Sequence, residues 1–252
     1  MLKKVEKYLV SKIEEKGCIH IALIDPEKCN PEDSKYISKM IKEAGSSAIM
    51  VGGSTYFGEK LDEVIKGLKN GSDLPVIIFP GNIASISKYA DAIWFLSVLN
   101  SLNPYYITGA QAMSARIIKS YNLEAIPLAY IIISPGGTAG FVSQANPIPV
   151  DKPEIIAMYA LAAQYMGMRF VYIERGSGVS EPIPPIIVKK IREILDESHL
   201  IVGGGIKNKE QAKEIAKAGA EIIVTGTILE NNIEMLKDIV DGIEEGVNAK
   251  TY

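Results

Sequence analysis

Short apolar runs recur along the chain, with amphipathic stretches between most of them. The runs are "CIHIALI", "SAIMV", "PVIIF", "AIWFL", "AIPLAYIII", "RFVYI", "HLIVG" and "EIIVT". All are rich in isoleucine and valine, and few alternate cleanly between apolar and polar positions. Strands of a parallel sheet have this character, because helices cover both faces. The stretches between the runs predict helices. Pro31 to Ala44 carries Ile37, Met40 and Ile41, and Thr55 to Lys69 carries Leu61, Val64, Ile65 and Leu68. The segments "DKPE" (Asp151 to Glu154) and "NKEQ" (Asn208 to Gln211) have capping-box spacing. The first precedes a helix over Ile155 to Met166, and the second opens a helix that Gly219 ends. Ile233, Leu236, Ile239, Val240 and Ile243 form the stripe of a last helix. The segment after "PVIIF", "PGNIASISKYAD", leaves little room for a full helix.

Strand and helix alternating in this way predict an α/β fold, a single (β/α)8 TIM-type barrel modified around the third β/α unit. One domain over residues 1–252 is expected. The leading "MLKKVEKYLVSKIEEKG" predicts an extra N-terminal helix with Val5, Leu9 and Ile13 on one side, stopped by Gly17. A doubly wound open sheet is the alternative. No "GxGxxG" follows the first strand, which weakens its dinucleotide-binding version.

Composition narrows the partners. The 252 residues are 47% apolar and 23% charged, enough for a large core and a solvated surface. A net charge of −3 without a basic block argues against a nucleic-acid surface. No run approaches the roughly 18–20 apolar residues that span a bilayer, and the N-terminal segment lacks the apolar core of a signal peptide. A cytoplasmic protein with at most transient contact with a membrane surface is expected. Cys18 lies in an apolar run and Cys29 in a loop without a partner at metal spacing, so two reduced thiols are expected, with a single disulfide as the alternative. His20 and His199 fall inside predicted strands, far apart, and read as structural.

In a barrel the chemistry sits at the C-terminal ends of the strands. Here those ends read Asp25-Pro26-Glu27, Gly52-Gly53-Ser54, Pro80-Gly81-Asn82, Ser97, Ser134-Pro135-Gly136-Gly137, Glu174-Arg175-Gly176-Ser177-Gly178, Gly203-Gly204-Gly205 and Gly226. Glycine lets backbone N–H groups approach an anion with no Cβ in the way. Gly203 and Gly226 end strands seven and eight and lie 23 residues apart, one β/α unit. That is where barrels often hold phosphate. Glycines that merely turn the chain are the alternative. A phosphorylated ligand is expected, and the motif by itself does not name it.

Seven motifs then occur in one order: "HIALIDPEK", "MVGGST", "PVIIFPGN", "YIIISPGGT", "FVYIERGSG", "IVGGGI" and "VTGT". Together, over His20 to Thr227, they resemble the geranylgeranylglyceryl phosphate synthase family and its bacterial heptaprenylglyceryl phosphate synthase relatives. The resemblance implies a prenyltransferase that joins the 3-hydroxyl of sn-glycerol 1-phosphate to geranylgeranyl diphosphate with Mg²⁺, the first committed step of archaeal ether-lipid synthesis. It implies Asp25 and Ser54 as magnesium ligands. It implies that Tyr172, Glu174, Arg175, Gly176, Ser177 and Gly178, then Gly203, Gly204, Thr225 and Gly226, hold the glycerol phosphate. Some members carry a lysine just before the aspartate motif; Leu23 stands there in this chain.

Chemistry at these positions agrees with that implication. Glu174 at a strand end is placed to act as general base for a glycerol hydroxyl, and an ion pair with Arg175 or Arg169 is the structural alternative. Tyr172, two residues earlier, shares its face of the strand and is a second catalytic candidate. Trp94, Tyr105 and Tyr106 are candidates for an apolar groove, with Trp94 as plain core equally open. Phe141, an aromatic in a glycine-rich loop, suggests a contact between copies in a homo-oligomer. Three other functions stay in view. The first is a sugar-phosphate isomerase or aldolase, although no lysine sits directly at a strand end for Schiff-base chemistry. The second is a synthase of longer prenyl chains. The third is a non-catalytic phospholigand-binding protein.

Overall fold

The structure is a computed structural model, and it describes residues 3–55, 60–226 and 233–249. Eight parallel strands close into a barrel in chain order. They are β1 (Ile19–Ile24), β2 (Ala48–Val51), β3 (Val76–Ile78), β4 (Ala92–Val98), β5 (Glu124–Ile132), β6 (Phe170–Glu174), β7 (His199–Gly203) and β8 (Ile222–Thr225). Each coincides with one of the apolar runs. Helices α2 (Pro31–Glu43), α3 (Leu61–Gly71), α4 (Ala110–Ser120), α5 (Gly137–Val142), α6 (Pro153–Tyr165), α7 (Pro185–Arg192), α8 (Lys209–Lys217) and α9 (Met235–Asn248) follow their strands. No helix lies between β3 and β4, as the short "PGNIASISKYAD" segment predicts. A five-residue π-helical turn, Tyr105–Gly109, leads into α4.

Two local readings change. The "DKPE" capping box does not form: α6 is preceded by Lys152, no side chain caps it, and Pro153 occupies its first turn. Proline there has no N–H to be capped, so one reason for the box is gone. The helix expected from Thr55 is described only from Leu61, and residues 56–59 lie outside the described residues. The second forms its N-cap half, and its return bond falls one residue earlier than a capping box places it. Asn208 Oδ1 accepts from Gln211 N–H at 2.9 Å, and the Gln211 side chain reaches back to Lys207 N–H at 2.7 Å.

Strand parity divides the core. Ile19, Ile21, Met50, Ile77, Trp94, Leu128 and Ile201 pack inside the barrel, while Ala22, Ile49, Ile93, Ala129 and Val202 face the outer helices. Helix α1 (Lys4–Lys16) joins the inner set through Val5, Leu9 and Ile13, so it packs against the barrel interior. The Glu124 carboxylate, at the start of β5, accepts the N–H groups of Val5 and Glu6, both at 2.8 Å. These are orphan donors of the first turn of α1, and a carboxylate there also suits the helix dipole. Glu6 in turn pairs with Arg169. Gly17 ends the helix with φ +72°.

Both cysteines are free and buried, and burial pushes the Cys29 thiol up to about 11. His20 and His199 are bonded within the structure, to Ser46 and Thr225 and to Glu221 respectively. No helix among the described residues is long and apolar enough to cross a membrane. Leu9 is fully buried in the plug. Leu9→Ala is expected to cost about 3 kcal/mol of stability, transfer plus cavity. Urea unfolding checks it; a loss under half that size would mean that α1 contributes little to the closed barrel.

Candidate active site

Two cavities open where the strands end. The larger, about 310 Å³, is bounded by Asp25, Ser54, Phe79, Tyr106 and Tyr130. The smaller, about 220 Å³, is walled by Tyr172, Gly178, Gly204, Gly205, Lys207 and Thr225. Leu23, Glu174, Ser177 and Gly226 line both, and therefore form the seam between them.

Glu174 is the centre of that seam. It ends β6 on the inner face, in register with Ile132 and Gly203, and is 7% exposed. Tyr130 Oη donates to Glu174 Oε2, and Tyr172, two residues earlier on the same face of β6, places its hydroxyl beside the carboxylate. Burial raises the carboxyl pKa above its ordinary value, while the two tyrosine hydroxyls pull it back. The same burial, together with the Glu174 charge, pushes both tyrosines well above 10, so they remain donors. An ionised carboxylate has about four lone-pair sites, so the Tyr130 bond leaves it able to accept a further proton. The salt-bridge alternative is gone, because Arg169 is committed to Glu6 and Arg175 to backbone carbonyls. The rings of Tyr130, Tyr172 and Phe79 surround the group, with centroids 5.2–5.8 Å apart.

Asp25 and Ser54 both line the larger cavity. Asp25 Oδ1 accepts from Glu27 N–H at 3.0 Å, so the carboxylate also caps its turn. A Cβ at Gly53 would lie 3.0 Å from the same oxygen, so glycine leaves it room.

A profile of the PcrB family matches residues 10–243. The chain belongs to the PcrB family. The geranylgeranylglyceryl phosphate synthase of Thermofilum pendens is 53% identical over 247 residues, covering 96% of each chain. The corresponding synthase of Pyrococcus furiosus is 52% identical over 248 residues, covering 97% of this chain and 98% of its own. The crystal structure of (S)-3-O-geranylgeranylglyceryl phosphate synthase from Thermoplasma acidophilum, in complex with sn-glycerol-1-phosphate, superposes with a TM-score of 0.91. Its identity is 42%, covering 97% of this chain and all of that one.

In this PcrB-family chain four of the residues expected at the phosphate wall have their side chains or Cβ positions engaged within the protein. The Arg175 guanidinium donates to the carbonyls of Ser134, Glu181 and Pro182, so it ties loops together. Thr225 lines the smaller cavity, but its Oγ1 is 2.9 Å from His20 Nε2. Parity explains this: Ile222 and Val224 point inward, so Thr225 points outward, leaving its backbone toward the cavity. Gly203 lines neither cavity. A Cβ there would lie 2.2 Å from Tyr172 Oη, so its glycine makes room for that hydroxyl. Gly176 packs backbone on backbone, its would-be Cβ 2.8 Å from Gly136 C and Gly137 N. Ser177, Gly178, Gly204 and Gly226 remain at the cavity walls, and Thr227 of the "VTGT" motif lies outside the described residues.

Three residues escaped the sequence reading. Tyr130 sits inside the longest apolar run and pairs in register with Tyr172; only its parity marked it. Phe79 ends the "PVIIF" run, where an aromatic reads as core. Lys207 follows the third glycine of "IVGGGI". Trp94 resolves as buried, its ring 5.2 Å from Phe170, while it also forms part of a small side cavity's wall.

Turnover that needs Glu174 ionised is expected to rise with pH through a midpoint above 4.5, since burial dominates its shift. The Tyr130 bond lowers that midpoint, so Tyr130→Phe moves the acid limb of kcat/KM to higher pH. Superimposable profiles for the two proteins would remove the tyrosine from the tuning of Glu174.

Proposed function

We propose that the chain transfers a geranylgeranyl group from its diphosphate to the 3-hydroxyl of sn-glycerol 1-phosphate, a reaction in keeping with relatives named geranylgeranylglyceryl phosphate synthase. The observation that carries this reading is the place of Glu174 on the seam of two cavities of different chemistry. The glycine-walled cavity suits a phosphate, whose oxygens take backbone N–H groups. The larger cavity has a carboxylate and a hydroxyl on one side and aromatic rings on another. It shares Pro80, Gly81, Leu96, Val98 and Tyr106 with a third cavity of about 60 Å³, lined also by Tyr105 and Phe95. That cavity abuts the segment where the barrel lacks a helix between β3 and β4. The missing helix leaves apolar space for a prenyl tail.

The reaction then follows from position. The glycerol hydroxyl lies toward Glu174 and attacks the first carbon of the prenyl chain. The carbon–oxygen bond to the diphosphate breaks and its electron pair leaves with the diphosphate. The proton goes to Glu174. Tyr130 and Tyr172 hold the carboxylate in place, and the electron-rich rings at the cavity wall suit the positive charge that spreads over the allylic carbons.

Asp25 and Ser54 fit Mg²⁺. They supply hard oxygen donors, and the Gly53 gap leaves the Asp25 carboxylate accessible. No cluster of three His, Cys, Asp or Glu residues is found among the described residues. A cation here would therefore need substrate oxygens to complete its shell, which a diphosphate provides. When bound, Mg²⁺ neutralises charge on the departing diphosphate. Leu23 lines the seam where a lysine would otherwise reach the diphosphate.

A single domain over 1–252, working in the cytoplasm and meeting the membrane surface only briefly, completes the reading. The occupied state is a homo-oligomer. Helix α6 carries one carboxylate, Glu154, and no cation. On its outer side Met158 and Tyr165, with Met166 just past its end, are 63–80% exposed, and Phe141 is 87% exposed. A helix apolar on both faces is ordinarily covered. Phe141→Asp is expected to lower the mass measured by light scattering; an unchanged assembly would place the contact elsewhere.

Incubation with sn-glycerol 1-phosphate, Mg²⁺ and geranylgeranyl diphosphate tests the activity, with the sn-3 enantiomer and a metal-free sample alongside. An ether product only with the sn-1 compound and metal is expected. Equal product from the sn-3 compound would remove the proposed fit of the glycerol site. No product with any prenyl length would end the prenyltransferase reading and favour a sugar-phosphate enzyme.

A further inference from the structure

A phosphate monoester carries close to two negative charges at neutral pH. Glycine N–H groups bind its oxygens but supply no net charge. The smaller cavity also contains the Glu174 carboxylate, which repels the same anion. Arg175, the expected cation of the β6 loop, is committed to three carbonyls. Among the described residues lining this cavity, Lys207 is the only cation.

We propose that Lys207 is the counter-ion of the phosphate in the smaller cavity. The chain fixes its backbone and leaves its side chain at the rim. Gly204 and Gly205, with φ +83° and +76°, turn the strand end back over the cavity. Lys207 N–H is then bound by Gln211 Oε1 at 2.7 Å, at the start of α8. Among the described residues no carboxylate lies within ion-pair distance of its ammonium. A lysine suits this place because a compact charge on a flexible stem can follow an oxygen without fork geometry. Exposure makes the attraction sensitive to salt. Lys207 therefore acts on the affinity for the phosphate end of the acceptor, while the hydroxyl at Glu174 reacts as before. The identity of that acceptor rests on the proposed function; the phosphate does not.

The test titrates the free protein with inorganic phosphate and with sn-glycerol 1-phosphate by calorimetry at low salt. Wild type, Lys207→Ala and Lys207→Arg are compared. Lys207→Ala is expected to weaken both ligands roughly tenfold, the size of a partly screened charge contact, and Lys207→Arg to restore most of it. In turnover, KM for the acceptor rises by the same factor and kcat stays within about twofold. Added salt narrows the gap between wild type and Lys207→Ala. Equal affinities in the two proteins, or a fall in kcat at unchanged KM, would overturn the assignment. So would a wild type that binds neither ligand. A wild type that binds inorganic phosphate through Lys207 yet makes no ether product would sink the proposed function and leave the counter-ion standing.

Discussion

The structure depends on a buried carboxylate held by a tyrosine hydroxyl inside a closed barrel. An ionised Glu174 at 7% exposure is costly unless hydrogen bonds replace its water. Tyr130 supplies such a bond from the neighbouring strand, and Tyr172, paired with it in register, packs its ring beside it. Gly203, on the next strand, supplies the space that Tyr172 needs. Three adjacent strands thus act together on one group. Barrel closure makes this possible, because it fixes the parity of every strand at once.

The same parity separates the two cavities from their support. Inward positions carry Tyr172 and Glu174 to the seam. Outward positions carry His20 and Thr225 into the layer beneath the helices, where they bond each other. Burial lowers the His20 pKa to about 3, so that histidine stays neutral through the physiological range. At the other end of the barrel, α1 packs its apolar stripe against the interior and Glu124 satisfies its first turn. The base is closed by packing, which leaves the strand ends as the open face.

Loops at that face are tied backbone to backbone. Gly136 N–H donates to Arg175 O at 2.9 Å, and Gly176 packs against Gly136 and Gly137. A would-be Cβ at Gly204 lies 2.9 Å from Gly176 O, so the β5, β6 and β7 loops form one stack. Gly176 and Gly204 of the glycine-rich strand ends pack into this stack. Gly178, Gly204, Gly205 and Gly226 remain at the walls.

The sequence by itself determined the barrel. Eight apolar runs of strand length, separated by helical stripes, admit few other arrangements, and the short segment after the third run foretold the absent helix. It also placed Asp25, Ser54 and Glu174 at strand ends, because an element's end is a local property written in turn residues. What the tertiary structure decided is who faces whom. Thr225 and Arg175 stand in the right loops, yet their side chains are bound by His20 and by three carbonyls. Tyr130 and Lys207 lie 44 and 33 residues from Glu174 along the chain, yet both border its cavities. The physical reason is that side-chain direction and long-range register follow from closing the barrel, and a single strand's pattern does not contain the strand beside it.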